Sequence, residues 1–272
     1  MKLTYIYHSG FAVETEQCAV VIDFWQDPAG VIGPLLAGGK PLYVLASHFH
    51  EDHFNPAVLD WGRGRSGVTY VLSKDIMRRR RAPKDAAHWL AKGGSYADGN
   101  ISVGATGSTD SGVSFVIDVG GCRLFHAGDL NNWQPSLPGA GVGDSRAEAM
   151  YLGELKDVCK VADRVDVAFF PVDARIGGGY MRGPRQFLER VHTSLFVPMH
   201  FTASGAGSAA ASLRPRRCAA GSGCPHARAK ASVSDGRPFG VVAAVDLARP
   251  AWWPGGVPFS WRWWHKGLCM CR

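Results

Sequence analysis

The chain has 272 residues, 46% hydrophobic and 19% charged, which excludes fibrous and wholly disordered proteins and suits one large domain or two small ones with a real core. No stretch approaches the roughly 18 uninterrupted apolar residues of a membrane helix, and the opening MKLTYIYHSG alternates like a strand and lacks the order of a secretory signal, so a soluble cytoplasmic protein is expected. The net charge of +7 would raise nucleic acid as a partner, but residues 1–200 hold 20 of the 30 Lys and Arg and 21 of the 23 Asp and Glu, so the basicity belongs to the rest of the chain and nucleic acid is not the expected partner.

Residues 3–7 and 11–14 flank Ser9-Gly10 and predict a β-hairpin, with a third strand at 19–23 ending in Asp23. The run PLYVLAS at 41–47 reads as a buried strand leading into HFHEDHFNP. A short helix is expected from Pro56 to Trp61, capped by Asn55. Residues 68–73 predict a strand, and Lys74-Asp75 opens a helix bearing Arg78, Arg79, Arg80 and Arg81, either a solvated face or a patch for an acidic ligand. Strands follow at 101–105, 112–118 and 122–125, the last delivering HAGDLNNW. A helix is expected at 146–160, a buried strand at 165–171, a helix at 184–191 and a final strand at 195–197 running into Met199-His200. Polar side chains repeatedly follow apolar strands, which favours a site built on loops at strand ends. Cys18, Cys122 and Cys159 lie in apolar surroundings and read as buried small hydrophobes of a reducing compartment.

After His200 the character changes. Ala, Gly, Ser, Arg and Pro dominate without an apolar period, and residues 201–272 carry five of the nine Trp, four of the seven Cys and a net charge of +8. Few acids, clustered Trp and scattered Cys are what a GC-rich gene gives when read out of frame. The expected organisation is therefore a hydrolase-like domain at 1–204 and an atypical basic tail at 205–272, disordered or frameshifted. A nucleic-acid-binding extension is the functional alternative, but Arg and Trp are not regularly interleaved. Cys218, Cys224, His226 and Cys269 have spacings too irregular for a zinc module.

His48, His50, Asp52 and His53 form H-x-H-x-D-H on the loop after a buried strand. Three imidazoles and a carboxylate within six residues are ligands suited to Zn, Mn or Fe, and a loop can turn the two alternating His toward one ion and the Asp-His pair toward a second. Asp23 either orients one of these rings through its second nitrogen or simply caps its strand. Asp173 follows another buried strand, on a loop with Arg175, Tyr180, Met181 and Arg182 that forms either a substrate rim or ordinary surface. GxGxxG, P-loop and G-x-S-x-G signatures are absent, which removes support for those nucleotide-binding devices and for a serine hydrolase.

H-x-H-x-D-H after such a strand, G-D after a later one and a strand-terminal His together resemble the metallo-β-lactamase superfamily over residues 1–200. The resemblance implies an α/β fold, a four-layer αββα sandwich, here incomplete at the C-terminus. The opening YHSGFAVET followed by VIDFW is similar to the branch containing the ascorbate-6-phosphate lactonase, where the His-Ser-x-Phe segment borders the active site. That likeness makes His8 either a residue behind the metal ligands or facing substrate, with a catalytic part, or a simple strand-edge histidine. By the same resemblance His48 and His50 hold a first metal and Asp52 and His53 a second, Asp129 bridges both, and His200 completes the second. The sequence departs from the pattern at GATGSTDSGVSF, where the family's third first-metal His is missing. Asp110 either supplies that ligand or leaves the first site weak. His126 is expected no closer than the outer shell.

The expected function is hydrolysis of a small ester, lactone, amide or phosphoester. It would use one or two Zn2+, or Mn2+ or Fe2+, to lower a water toward a pKa of about 7. Asp52 would orient that water or receive its proton. Phosphodiesterase or nuclease chemistry, and an inactive frameshifted protein, are the alternatives; the oligomeric state is left open.

Overall fold

The computed structural model describes residues 1–133 and 145–201, together with the backbone of two short strands further along the chain. Strands β1 (Lys2–Tyr7), β2 (Gly10–Glu14) and β3 (Ala19–Ile22) form an antiparallel meander. To β3 are added, in parallel, β4 (Leu42–Ala46), β5 (Val68–Ser73) and β6 (His88–Leu90). The second sheet runs antiparallel through β7 (Ser95–Ala97), β8 (Ile101–Gly107), β9 (Val113–Val119) and β10 (Cys122–His126). It ends with the parallel strands β11 (Arg164–Pro171) and β12 (His192–Met199).

The period of two in β2, β3 and β4 sorts side chains between two cores. Phe11, Val13, Val20, Ile22, Tyr43 and Leu45 join Val103, Phe115, Ile117 and Phe169 of the second sheet in the main core. Ala12, Val21, Val44 and Ala46 point the other way, onto Ile32 of helix α1 (Ile32–Ala37), Val58 of a 3-10 turn (Pro56–Asp60) and Ile76 of α2 (Lys74–Arg78). On the far side, helix α3 (Ser145–Val161) contributes Tyr151, Leu155 and Val158 to the main core, and α4 (Arg182–Leu188) contributes Phe187. The result is the expected αββα layering.

Asn55 caps the 3-10 turn, its side chain accepting from the Ala57 N–H at 3.0 Å. In the body of the sandwich, α1, β6 and β7 have no counterpart among the predicted elements. Helix α1 carries Gly33 and Pro34, which disguise its helical character, and β6 and β7 have three residues each, too few to display a period. The arginine run is only partly a solvated face: the Arg79 guanidinium lies 4.7 Å from the Phe49 ring centroid, and half-buried Arg81 donates to the Phe54 carbonyl at 3.4 Å. Cys18 is buried, but Cys122 and Cys159 are only half-buried, contrary to the sequence reading, because each sits where its element reaches the domain surface.

The predicted tail at 205–272 lies outside the described residues except for β13 (Ala231–Ser232) and β14 (Ala244–Asp246). Strand β14 pairs antiparallel with β1, Lys2 opposite Asp246 and Leu3 opposite Val245, and β13 pairs with β14. These strands extend the first sheet beyond β1.

Candidate metal centre

One edge of the sandwich collects the C-terminal ends of six strands: His8 follows β1, Asp23 follows β3, Ser47 and His48 follow β4, Asp129 follows β10, Asp173 follows β11 and His200 follows β12. The β8–β9 turn brings Asp110 to the same edge. Two main-chain bonds tie the sheets together there, His200 N–H to His8 C=O at 3.1 Å and Val113 N–H to Ser47 C=O at 2.9 Å. His8, Asp23 and His200 all have positive φ, of 55°, 48° and 67°. Among the described non-glycine residues only Arg80 shares that conformation, so left-handed backbone concentrates at this edge.

Glycine is required where the second sheet meets the histidine loop. At Gly112, with φ of 64°, a β-carbon would run into the Ser47 carbonyl and the His48 β-carbon. At Gly128, with φ of 53°, it would lie 2.8 Å from the Ser47 β-carbon.

The ligand-type residues fall into two sets, His48, His50, Asp110 and Asp129 in one and His8, Asp52, His53 and His200 in the other, each with its ligand atoms within 4.8 Å of one another. Asp129 joins them. Its Oδ2 lies 3.4 Å from His48 Nε2, while its Oδ1 lies 3.0 Å from His53 Nε2 and 3.3 Å from His200 Nε2. Asp110 Oδ2 faces His50 Nδ1 at 3.4 Å. In the other set Asp52 Oδ2 lies 3.3 Å from His8 Nε2 and 3.9 Å from His200 Nε2.

The outward nitrogens of these rings are fixed by a buried hydrogen-bond chain. His53 Nδ1 donates to Asp23 Oδ2 at 2.6 Å. Asp23 also accepts from the Ser47 N–H at 2.7 Å and the Ser47 hydroxyl at 2.6 Å, and that hydroxyl oxygen in turn accepts from His48 Nδ1 at 3.0 Å. Fully buried Asp23 thus orients one histidine of each set. His200 Nδ1 donates to Asp173 Oδ2 at 3.0 Å, and Asp173 is held by the Arg175 guanidinium through both carboxylate oxygens. With Nδ1 occupied as donor, the Nε2 lone pairs of His48, His53 and His200 point inward.

Electrostatics follow from this crowding. Burial alone would raise the Asp129 carboxyl, but His53, His48 and His200 together hold it well below the usual range. Asp52 is likewise depressed, His8 and His53 outweighing its desolvation. Burial pulls His53 down, yet Asp129 and Asp23 lift it well above an ordinary histidine. Burial lowers His8 and His126. His126 has both nitrogens engaged, Nε2 donating to Ser9 C=O at 3.0 Å and Nδ1 accepting from the Gly128 N–H at 3.2 Å, so it is no ligand.

The residues fit a pair of cations. Buried His8 Nε2, His48 Nε2, His53 Nε2 and Asp129 Oδ1 have no hydrogen-bond partner, yet they converge on the same space. Desolvated, unpartnered imidazole nitrogens around a carboxylate are costly unless something accepts their lone pairs. The structure therefore gathers all seven predicted ligand residues. It also places His8 within the ligand-atom shell, where YHSGFAVET marks it only as bordering the site, and sets Asp173, whose loop reads from sequence as a substrate rim or ordinary surface, behind His200. Those two positions depend on strands far apart in the chain.

Residues 2–136 match the β-lactamase superfamily domain. The chain is 26% identical over 228 residues to a UPF0173 metal-dependent hydrolase of Desulforamulus reducens, covering 74% of this chain and 84% of the relative. It is 28% identical over 223 residues to one of Heliobacterium modesticaldum, covering 74% and 82%. Among solved structures, Igni18, a metallo hydrolase of Ignicoccus hospitalis, superposes with a TM-score of 0.51 at 21% identity, over 74% of this chain and 82% of that one. A protein of Parabacteroides distasonis superposes with a TM-score of 0.52 at 15% identity, over 75% and 84%. These likenesses reach the same fold.

Proposed function

The chain carries a domain of the metallo-β-lactamase superfamily, and on that premise we propose that it is a metal-dependent hydrolase acting on the ester, lactone, amide or phosphoester bond of a small substrate, with zinc as the resident ion. The observation that carries the reading is the Asp129 carboxylate, whose two oxygens face different histidine sets while the inward nitrogens of His8, His48 and His53 lack any other partner. His48, His50, Asp110 and Asp129 would hold one ion, and His8, Asp52, His53, His200 and the same Asp129 the other. Nitrogen and carboxylate oxygen donors are the borderline set that suits zinc, with Mn2+ or Fe2+ as competitors. When bound, such ions supply acidification of a water and polarisation of the scissile group.

The chain's own residues do the rest. Asp52, one-third exposed and with its carboxyl held below the usual range, stays ionised at neutral pH. It serves as a hydrogen-bond acceptor that orients a water, and is a poor store for its proton. Asp23 and Asp173 keep the histidine rings in one tautomer and one direction. Arg175, anchored on Asp173 and exposed, stands beside His200 with Trp133, whose ring centroid lies 5.3 Å from that of the imidazole in an edge-on arrangement. These two residues form a rim with one cation and one aromatic edge, suited to a small anionic substrate.

The test is metal content per chain together with hydrolysis of bis-p-nitrophenyl phosphate and of a simple lactone. The unmodified protein is expected to bind transition metal and hydrolyse at least one of them, and His53→Ala to lower metal content and abolish hydrolysis. Undiminished metal in that variant would sink the assignment.

A further inference from the structure

The two ligand sets differ in kind. His8 is buried, and neither of its ring nitrogens has a hydrogen-bond partner. Its ring centroid lies 4.4 Å from that of His200, and its Nε2 lies 3.3 Å from Asp52 Oδ2. Its backbone is held in the left-handed region with its carbonyl bonded to the His200 N–H, so the fold accepts an unfavourable conformation at both residues to bring the two imidazoles together. Packing alone does not account for such a residue, because an apolar side chain would fill the space without two orphaned nitrogens.

His8, Asp52, His53 and His200 offer four ligand atoms of their own before Asp129 is counted. Four protein ligands are what a closed zinc site uses, whereas an open site has three and leaves a position free. The other set has three of its own, His48, His50 and Asp110, and reaches four only through the shared Asp129, one fewer than the set with His8. Its outer pair is also the wetter: the side chains of His50 and Asp110 are 38% and 45% exposed while His48 is buried, against 4%, 0% and 6% for His8, His53 and His200 and 33% for Asp52. Buried carboxylates brace His53 and His200 from behind, while His50 faces an exposed one.

We propose that His8 is a metal ligand which closes the buried set around a permanently held ion, and that the exposed set with His50 and Asp110 is the open, exchangeable position where water and substrate enter. This rests on the metal-dependent reading above and divides its labour.

The full chain, loaded with Zn2+ or Co2+, would be dialysed against a chelator and its metal counted. Two ions per chain are expected before treatment and one after. Asp110→Ala should leave the retained ion in place, and His8→Asn should release it at least tenfold faster. Asparagine is chosen because it tolerates positive φ. Release from His8→Asn no faster than from the unmodified protein would overturn the proposal, as would both ions leaving the unmodified protein together. Should His8→Asn fail to fold, the chelator-treated Co2+ form of the unmodified protein decides. Three paramagnetically shifted imidazole N–H signals, from His8, His53 and His200, support the proposal; two overturn it. A chain that binds no metal in any condition overturns the metal-dependent reading itself, whereas two equally held ions overturn only the division proposed here.

Discussion

Asp23 shows how one residue outside the ligand set controls both halves of the centre. Its carboxylate accepts the hydrogen bond of His53 Nδ1 directly and orients the His48 ring through the Ser47 hydroxyl, fully buried away from solvent. Removing the charge while keeping the shape puts an amide NH2 where one of the two acceptor oxygens stood, so His53 and the Ser47 donors no longer all find an acceptor. Asp23→Asn is therefore expected to weaken metal binding by about 10- to 100-fold, the usual effect of losing an outer carboxylate, as measured by competition with a chromophoric chelator. Asp173→Asn should weaken it through His200 alone, leaving His48 and His53 unaffected. Equal effects on both sets from Asp173→Asn would contradict the hydrogen-bond chain described above.

At the scale of elements, catalytic placement depends on strands ending at one edge and on the close approach of β9 and β10 to the loop after β4. Gly112 and Gly128 permit that approach, since each has positive φ and no room for a side chain against Ser47. Gly112→Ala adds left-handed strain and a collision with main chain that cannot yield as a flexible side chain would. The expected cost is about 2 to 4 kcal/mol, read as a fall of several degrees or more in Tm. Gly153, in α3 with open space around it, is the control, and Gly153→Ala should hold or raise Tm through helix propensity.

The whole molecule folds around a concentration of charge that metal would neutralise, which fixes how stability should respond to pH in the metal-free protein. Burial lowers His8 and His126, so their protonation favours the unfolded chain, and stability is lost as pH falls below an unfolded value of about 6.5. Asp52 and Asp173 sit below the usual range. Their contribution is complete above an unfolded value of about 3.9 and disappears as pH falls further. His53 runs the other way: its raised value contributes stability below about 6.5 that is lost as pH rises through its folded value. Urea midpoints of the chelated protein are expected to fall from pH 7 to 5.5 and again to 4, with a smaller decline on the alkaline side. Adding Zn2+ at neutral pH should raise the midpoint, because ions bind the assembled site and not the scattered ligands. A midpoint insensitive to both metal and pH would show that the charge cluster contributes nothing to folding.

The parts of this protein legible in its sequence are those encoded over a few residues. H-x-H-x-D-H after PLYVLAS carries four candidate ligands on one loop, and Asp129 in HAGD and His200 after FVPM announce themselves as candidates by standing at strand ends. Longer periodic strands and helix α3 are legible for the same reason, whereas α1 is hidden by Gly33 and Pro34 and β6 and β7 by their brevity. The tertiary structure alone decides which candidate ligand falls in which set, since that depends on two sheets closing through the His200–His8 and Val113–Ser47 main-chain bonds. It alone turns His8 inward beside His200, sets Asp173 behind that ring, and makes Asp23 the common brace of His48 and His53. Local sequence selects the chemistry of a side chain; only the packing of distant strands fixes the direction in which its lone pair points.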